Sequence, residues 1–311
     1  MRTAGERIRM SSPVWECRSM RLVCYRADVT DTCLTFLHLP KTGGTTFTTL
    51  LRWQYRSLSP EEIRWFATDD PSFEELRKLP IEQRARLKVL MGHFPYGIHR
   101  SIPKRCTYVT IIRDPVKRVV SEFRYALTSS THPMHDTVVS SSMDLEDYVV
   151  GRYSVQTHNA LTRQLAGRSG EGELTRHDLE IASANLRSFE AVGLTEAYDE
   201  SMILFKRVLG WSMPFYFSRN VSKRGINPGN VSDRTISVIR ERNVFDAEIY
   251  ALARSLFESL VAKHDDGFDR EVTRFKLMNR GPRALGRFLD PVAPMIRRRL
   301  ERKTKHRPTH G

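Results

Sequence analysis

The chain has 311 residues, with 50 Lys and Arg against 36 Asp and Glu, a formal net charge of +14. That length suits one large α/β domain with a full core, or a domain with appended segments. The charge favours an anionic partner without choosing among nucleic acid, acidic polysaccharide, a membrane surface and a multiply charged nucleotide. No apolar run reaches the roughly 18 residues that a membrane-spanning helix needs.

Residues 1–30 are arginine-rich (Arg2, Arg7, Arg9, Arg18, Arg21, Arg26) and lack the apolar core of a signal peptide, leaving open a transit peptide or a start at Met20. Cys17, Cys24, Cys33 and Cys106 have no C-x-x-C spacing and no histidine pair at zinc-ligand distance. They read as free thiols in a reducing compartment.

The first strong pattern is 34–51. Leu34, Phe36 and Leu37 predict a short buried strand, and Phe47, Leu50, Leu51 and Tyr55 share one face at helical spacing. Between them, Gly43 and Gly44 let the backbone approach an anion, and the N–H groups at the helix start favour negative charge. Lys41 and the hydroxyls of Thr42, Thr45 and Thr46 add a cation and donors at the same point. The lysine precedes the glycines, so this is not the G-x-x-x-x-G-K-[ST] loop of nucleotide hydrolases.

Ser59-Pro60-Glu61-Glu62 predicts a helix start, and 69–76 another. Leu87–Met91 predicts a strand ending in Gly92-His93-Phe94-Pro95-Tyr96-Gly97, which puts His93 beyond a strand C-terminus, where parallel sheets place their chemistry. Thr107–Ile112 is β-branched and nearly all apolar, as a strand buried on both faces should be. After Arg113, Asp114 can cap and Pro115 can open a helix whose stripe is Val116, Val119, Val120, Phe123 and Leu127, with Ser121 about two turns in.

Residues 129–142 are polar and turn-rich and predict an exposed loop. Ala191–Leu194 predicts a strand, and a helix follows from Thr195 to Gly210, its charges facing solvent. Asn220–Gly229 is a basic glycine loop containing Ser222, Lys223 and Arg224. Asp233 predicts a helix cap, and Phe245, Ile249, Leu252, Leu256 and Leu260 mark the apolar face of another helix. From about residue 275 the chain becomes a basic tail that accounts for much of the excess charge.

HLPKTGGTTF (38–47) resembles the 5′-phosphosulfate loop of sulfotransferases that use 3′-phosphoadenosine 5′-phosphosulfate (PAPS), in the carbohydrate branch that includes the heparan sulfate 2-O- and 6-O-sulfotransferases. IIRDPVKRVVSEFRY (111–125) is similar to that family's 3′-phosphate segment, and Gly92-His93 to its Gly-His motif. Asn159-Ala-Leu-Thr-Arg163-Gln-Leu-Ala-Gly167 and VGLTEAYDESMILFKRVLGW (192–211) are similar to further elements of the branch.

The resemblance implies a three-layer, P-loop-like α/β fold with a central, mostly parallel sheet and a helical C-terminal half. It divides the chain into an N-terminal extension (1–32), a sulfotransferase domain (33–275) and a basic tail (276–311). It implies His93 as general base and Lys41 as a catalytic cation. Lys41, Thr42, Gly43, Gly44, Thr45 and Thr46 would hold the donor's 5′ end, Arg113 and Ser121 its 3′-phosphate, and Ser222, Lys223 and Arg224 a loop closing over the nucleotide. Asn159 and Arg163 either line the site or brace it. The donor would be PAPS and its product adenosine 3′,5′-bisphosphate, with no metal required. The acceptor would be a glycan or another hydroxyl compound, with no nucleic-acid partner. A phosphate-loop kinase or hydrolase and a non-catalytic polyanion binder are the alternatives. The animal members are held in the Golgi by an N-terminal membrane helix; with none read here, the expected location is cytoplasmic.

Overall fold

A computed structural model describes residues 32–66, 72–216, 231–264 and 267–280. Cys17, Cys24, Ser222, Lys223, Arg224, the N-terminal extension up to residue 31 and the tail from 281 lie outside the described residues. The strands are β1 (Thr32–Leu37), β2 (Ile63–Phe66), β3 (Val89–Gly92), β4 (Arg105–Ile112) and β5 (Ala191–Leu194). Helices α1 (Gly44–Gln54), α2 (Ser72–Lys78), α3 (Ile81–Arg86), α4 (Pro115–Thr128), α5 (His135–Ser140), α6 (Leu145–Val150), α7 (Ala160–Leu165) and α8 (Arg176–Arg187) surround and connect them. After β5 the described chain is helical: α9 (Tyr198–Leu209), α10 (Asp233–Arg242), α11 (Val244–Ala262) and α12 (Gly267–Met278).

The strands form one sheet in the order β2-β3-β1-β4-β5, and all four pairings are parallel. β1 is central, with Leu34 opposite Val89 on one side and Thr107 on the other. Cys33 through Leu37 are all buried. Because successive strand side chains point to opposite faces, both faces of the sheet are covered, which is why these residues are almost all apolar. The predicted strands at 34–38, 87–91, 107–112 and 191–194 are all present, within the one or two residues by which strand ends vary.

The structure departs from expectation at several places. Ser59–Glu62 is a turn, not a helix start: the Ser59 N–H donates to Glu62 Oε2 at 2.8 Å, half of a capping box. The Glu62 carbonyl instead accepts from the Lys88 and Val89 N–H groups, and its carboxylate pairs with Lys88 at 2.7 Å. Neighbouring β3 thereby captures the residues that follow, Ile63–Phe66, as edge strand β2. Residues 129–142 are not simply an exposed loop, since they contain α5 and bury His132 and Val138. In the α10 cap, Ser232 accepts from Thr235 N–H and Asp233 is the first helical residue.

A buried polar network ties the helical half to α4. Asp246, fully buried at the start of α11, accepts from the N–H groups of Leu161 (3.0 Å) and Thr162 (2.8 Å) and from the Thr162 hydroxyl (2.9 Å). In return, Asn159 Oδ1 accepts from the N–H groups of Phe245 and Asp246, so α7 and α11 cap each other. Arg118 of α4, also fully buried, stands 4.0 Å from Asp246 and donates to the Gln156 carbonyl.

Removing one member of a buried ion pair leaves an uncompensated charge. Asp246→Ala is therefore expected to cost ~3–5 kcal/mol in a urea unfolding titration. Arg176→Ala, which breaks the exposed pair with Glu248, should cost under about 1 kcal/mol.

Candidate active site

The loop after β1 is held from behind. Thr42 is buried and its hydroxyl donates to the Leu39 carbonyl at 2.8 Å. Two residues after β5 pin the loop backbone: Thr195 Oγ1 donates to the Thr42 carbonyl at 2.7 Å, and the Tyr198 hydroxyl to the Gly43 carbonyl at 3.1 Å. Gly43 caps α1 with φ +87°, a left-handed conformation that favours glycine. Lys41 also has positive φ, at 66°. For a residue with a Cβ this costs about 1–2 kcal/mol. Thr46 is buried in the first turn of α1, while Thr45 faces out.

Gly44 is required for another reason: a Cβ there would lie 2.0 Å from His38 Cδ2 and 2.1 Å from Nε2. The buried His38 ring thus packs directly on the opening of α1, stacked between Phe36 (centroids 5.3 Å apart) and His93 (4.1 Å).

His93 follows β3, as its position in the sequence predicts. Its Nδ1 lies 2.8 Å from the His38 carbonyl. A carbonyl only accepts, so Nδ1 carries the hydrogen and Nε2 is left with its lone pair. Trp65 meets the ring edge-on at 5.5 Å. Burial pushes the His93 pKa below its usual 6.5; the bond to the His38 carbonyl and the charge of Glu122 oppose the shift, and Lys41 adds to it.

Cations crowd the same edge of the sheet. Arg113, at the end of β4, donates from a terminal guanidinium nitrogen to the Lys41 carbonyl at 3.0 Å, while its buried Nε has no partner among the described residues. Burial lowers its pKa, Glu196 counteracts this, and Arg124 lowers it further. Arg124, also with an unpartnered buried Nε, was not a candidate in the sequence; it lies one turn beyond Ser121, which is half-buried on α4. The Lys41 ammonium stands 4.0 Å from the centroid of the Tyr125 ring. Burial brings its pKa down to about 8 against the pull of Glu122, with Arg113, Arg118 and Arg124 lowering it further. Lys41, His93 and Arg113 are thus brought together at the strand C-termini, with Ser121 on the adjoining helix.

Asn159 and Arg163 have separate partners. Asn159 caps α11, and Arg163 donates to the Gly170 and Gly172 carbonyls at 3.1 and 2.7 Å. Both line a different cavity of about 220 Å³ that includes none of Lys41, His93, Arg113 and Ser121. Their neighbour Gln164 was missed by the sequence reading. Its amide donates to the carbonyls of His38 (3.1 Å) and Phe94 (3.0 Å), joining the segments on either side of His93. Of the charges at 195–200, Asp199 does not face solvent: it is buried and accepts from the Tyr216 hydroxyl at 2.7 Å, whereas exposed Glu196 accepts from the Asp114 N–H at 3.4 Å.

The Gly44–His38 contact predicts that Gly44→Ala displaces the stacked histidines. Overpacking of this kind costs ~1–3 kcal/mol, to be read from chemical unfolding. Ala at Gly172, where a Cβ meets nothing within 4 Å, is the control.

The family model for galactose-3-O-sulfotransferase matches residues 72–290, a stretch that begins beyond the 41–46 loop. Human heparan-sulfate 6-O-sulfotransferase 1 is 26% identical over 275 residues, covering 73% of this chain and 66% of that one. Zebrafish (Danio rerio) heparan-sulfate 6-O-sulfotransferase 2 is likewise 26% identical, over 73% of this chain and 58% of its own. The chain spans about two thirds of the length of the curated relatives it matches. The crystal structure of mouse sulfotransferase SULT7A1 complexed with PAP overlaps 84% of this chain and 89% of its own, at TM-score 0.33 and 13% identity, too loosely to transfer any residue.

The expected cytoplasmic location is overturned by these relatives, because heparan-sulfate 6-O-sulfotransferases are Golgi membrane-type enzymes. No helix among the described residues is long and apolar enough to cross a membrane. The reading of the thiols as evidence for a reducing compartment loses its support too; Cys33 and Cys106 are free and sit in register on β1 and β4. With most of its length accounted for by one family model, the chain belongs to the galactose-3-O-sulfotransferase family, and so to the PAPS-dependent carbohydrate sulfotransferases.

Proposed function

We propose that this chain transfers a sulfuryl group from PAPS to a hydroxyl of an acceptor glycan, with His93 as general base. The observation that carries the donor assignment is half-buried Arg113, its buried Nε without a partner among the described residues, set among Lys41, Arg118 and Arg124. Such crowding is unfavourable unless an anion with several charges joins it, and a guanidinium offers paired donors to phosphate. The residues present fit the donor. Lys41, Thr42, Gly43, Gly44, Thr45 and Thr46 would take its 5′-phosphosulfate, and Arg113 and Ser121 its 3′-phosphate. In this reading residues 33–275 form the catalytic domain, and Asn159 and Arg163 are braces.

PAPS supplies a sulfuryl group on a phosphate leaving group; the chain supplies the rest. His93 Nε2 accepts the proton of the acceptor hydroxyl as the new O–S bond forms and the S–O bond to the phosphate breaks. Lys41 and the N–H groups at the start of α1 face the oxygen on which charge grows. Gln164 and the His38 carbonyl keep the imidazole in the tautomer that can act as a base.

Three outcomes test this. Labelled PAPS offered with a panel of glycans, lipids and small alcohols should label a glycan. With that acceptor, His93→Ala should lose about 10²–10⁴-fold in rate while its affinity for adenosine 3′,5′-bisphosphate stays near normal; a main defect in donor binding would remove His93 from the chemistry. Arg113→Ala should weaken adenosine 3′,5′-bisphosphate far more than 5′-AMP in calorimetry, and equal losses would count against the 3′-phosphate assignment.

The pH profile has a definite sign. Burial depresses the His93 pKa, so the base form persists below pH 6.5 and kcat/KM should fall only at lower pH. An acid limb centred above 6.5 would contradict the partly buried imidazole seen here.

A further inference from the structure

Glu122 is a carboxylate that the sulfuryl-transfer reading does not use, and its burial requires a reason. Only 4% exposed, it lies on α4 between the buried residues Val119, Val120 and Phe123. Its Oε1 is 2.9 Å from Nε2 of His132, which is itself 8% exposed. The Nδ1 of His132 accepts the Met134 N–H at 3.0 Å, so Nε2 carries the hydrogen and donates to Glu122. A histidine bonded in this way satisfies one lone pair of the carboxylate without cancelling its charge. A buried anion needs a cation. Arg118 faces Glu122 but is committed to Asp246 and the Gln156 carbonyl. Lys41 also faces it, and pairs with no carboxylate among the described residues.

We propose that Glu122, fixed by His132, is a positioning residue that keeps Lys41 an ammonium ion and so sets the upper pH limit for binding the donor. This rests on the reading of Lys41 as a donor-binding residue. The groups facing Lys41 come from every neighbouring element: Arg113 from β4, Arg118, Arg124 and Glu122 from α4, His38 from the end of β1 and His93 from the end of β3. Of these, Glu122 alone carries negative charge. The rest either repel the proton or, like burial, remove the water that would stabilise it. Burial raises the carboxyl pKa of Glu122, but the His132 bond and the charges of Lys41 and Arg118 outweigh it and hold the group ionised. The aromatic seat of the lysine depends on the same histidine, since the Tyr125 ring under Lys41 meets His132 edge-on at 5.2 Å.

Two measurements on the full chain test this. Competitive acetylation with acetic anhydride, read at Lys41 by mass spectrometry across pH, reports the amine's protonation without any nucleotide. The wild-type midpoint is expected at about 8. Glu122→Gln, which keeps the shape and the bond to His132, should move it down by about one unit, a tenfold change in the protonation equilibrium. His132→Leu, which leaves α4 intact, should move it the same way and serves if Glu122→Gln does not fold. Calorimetry with adenosine 3′,5′-bisphosphate should then show Glu122→Gln binding normally at pH 6 and about fivefold weaker at pH 8. In a Lys41→Arg background, where the cation cannot lose its proton, Glu122→Gln should leave the pH dependence unchanged. An unmoved acetylation midpoint overturns the proposal, as does an equal loss of affinity at every pH. A moved midpoint with no nucleotide binding by the wild type would sink the donor reading and leave the Glu122–Lys41 pairing standing.

Discussion

Asp246 has no solvent to turn to, and the rest of the molecule is arranged around that fact. Its two oxygens are saturated by the first turn of α7, with Arg118 beyond them. The consequence reaches the chemistry through a helix of six residues. Fixing the start of α7 fixes its far end, where Gln164 holds the carbonyls of His38 and Phe94. The His38 carbonyl in turn decides which nitrogen of His93 bears the hydrogen. A buried carboxylate in the helical half thus acts on the orientation of the His93 imidazole beyond β3. No residue in the sequence between them hints at the connection.

The second constraint is repulsion. Lys41, Arg113, Arg118 and Arg124 are gathered where water is scarce, and each makes the others harder to keep charged. The fold tolerates this by tying the cations to backbone and aromatic groups as well as to the buried carboxylate Asp246. Arg113 holds the Lys41 carbonyl, Arg118 the Gln156 carbonyl, and Lys41 rests on an aromatic ring. Carbonyls and rings restrain a cation without neutralising it, so the positive potential survives for a ligand. Lys41 is held in a left-handed backbone conformation within the same arrangement. Conformations of that kind persist where surrounding contacts over-determine them, and functional loops are a frequent location.

Local patterns in the sequence carried far in some places and failed in others for identifiable reasons. The strands at 34–37, 89–92, 107–112 and 191–194 were legible because burial on both faces demands unbroken apolar runs. Asp114, Pro115 and Gly210 announced helix ends through local chemistry alone. Strand β2 was hidden because Ser59 and Glu62 make a true half of a capping box, and only pairing with β3 settles the segment as strand. Glu122 carried no signal of its own, and His132 lay in a polar stretch that reads as an exposed loop. Their burial comes from packing between segments, which composition does not encode. Gln164 was overlooked because a lone amide carries no periodic signal and its partners are two backbone carbonyls 126 and 70 residues away.

The placement of β1 has a consequence for how the protein is made. The loop at 41–46 follows a strand that is the middle one of the sheet and takes its neighbours from β3 and β4. The bonds that shape the loop backbone come from Thr195 and Tyr198, 153 and 155 residues downstream. Contacts so distant in sequence are slow to form, because the intervening chain must be ordered first. On the ribosome, the apolar run from Cys33 to Leu37 therefore waits until β3 and β4 have been made, and the loop after it until Thr195 and Tyr198 have. During that interval it is an unpaired strand of the kind that chaperones bind and that aggregates recruit.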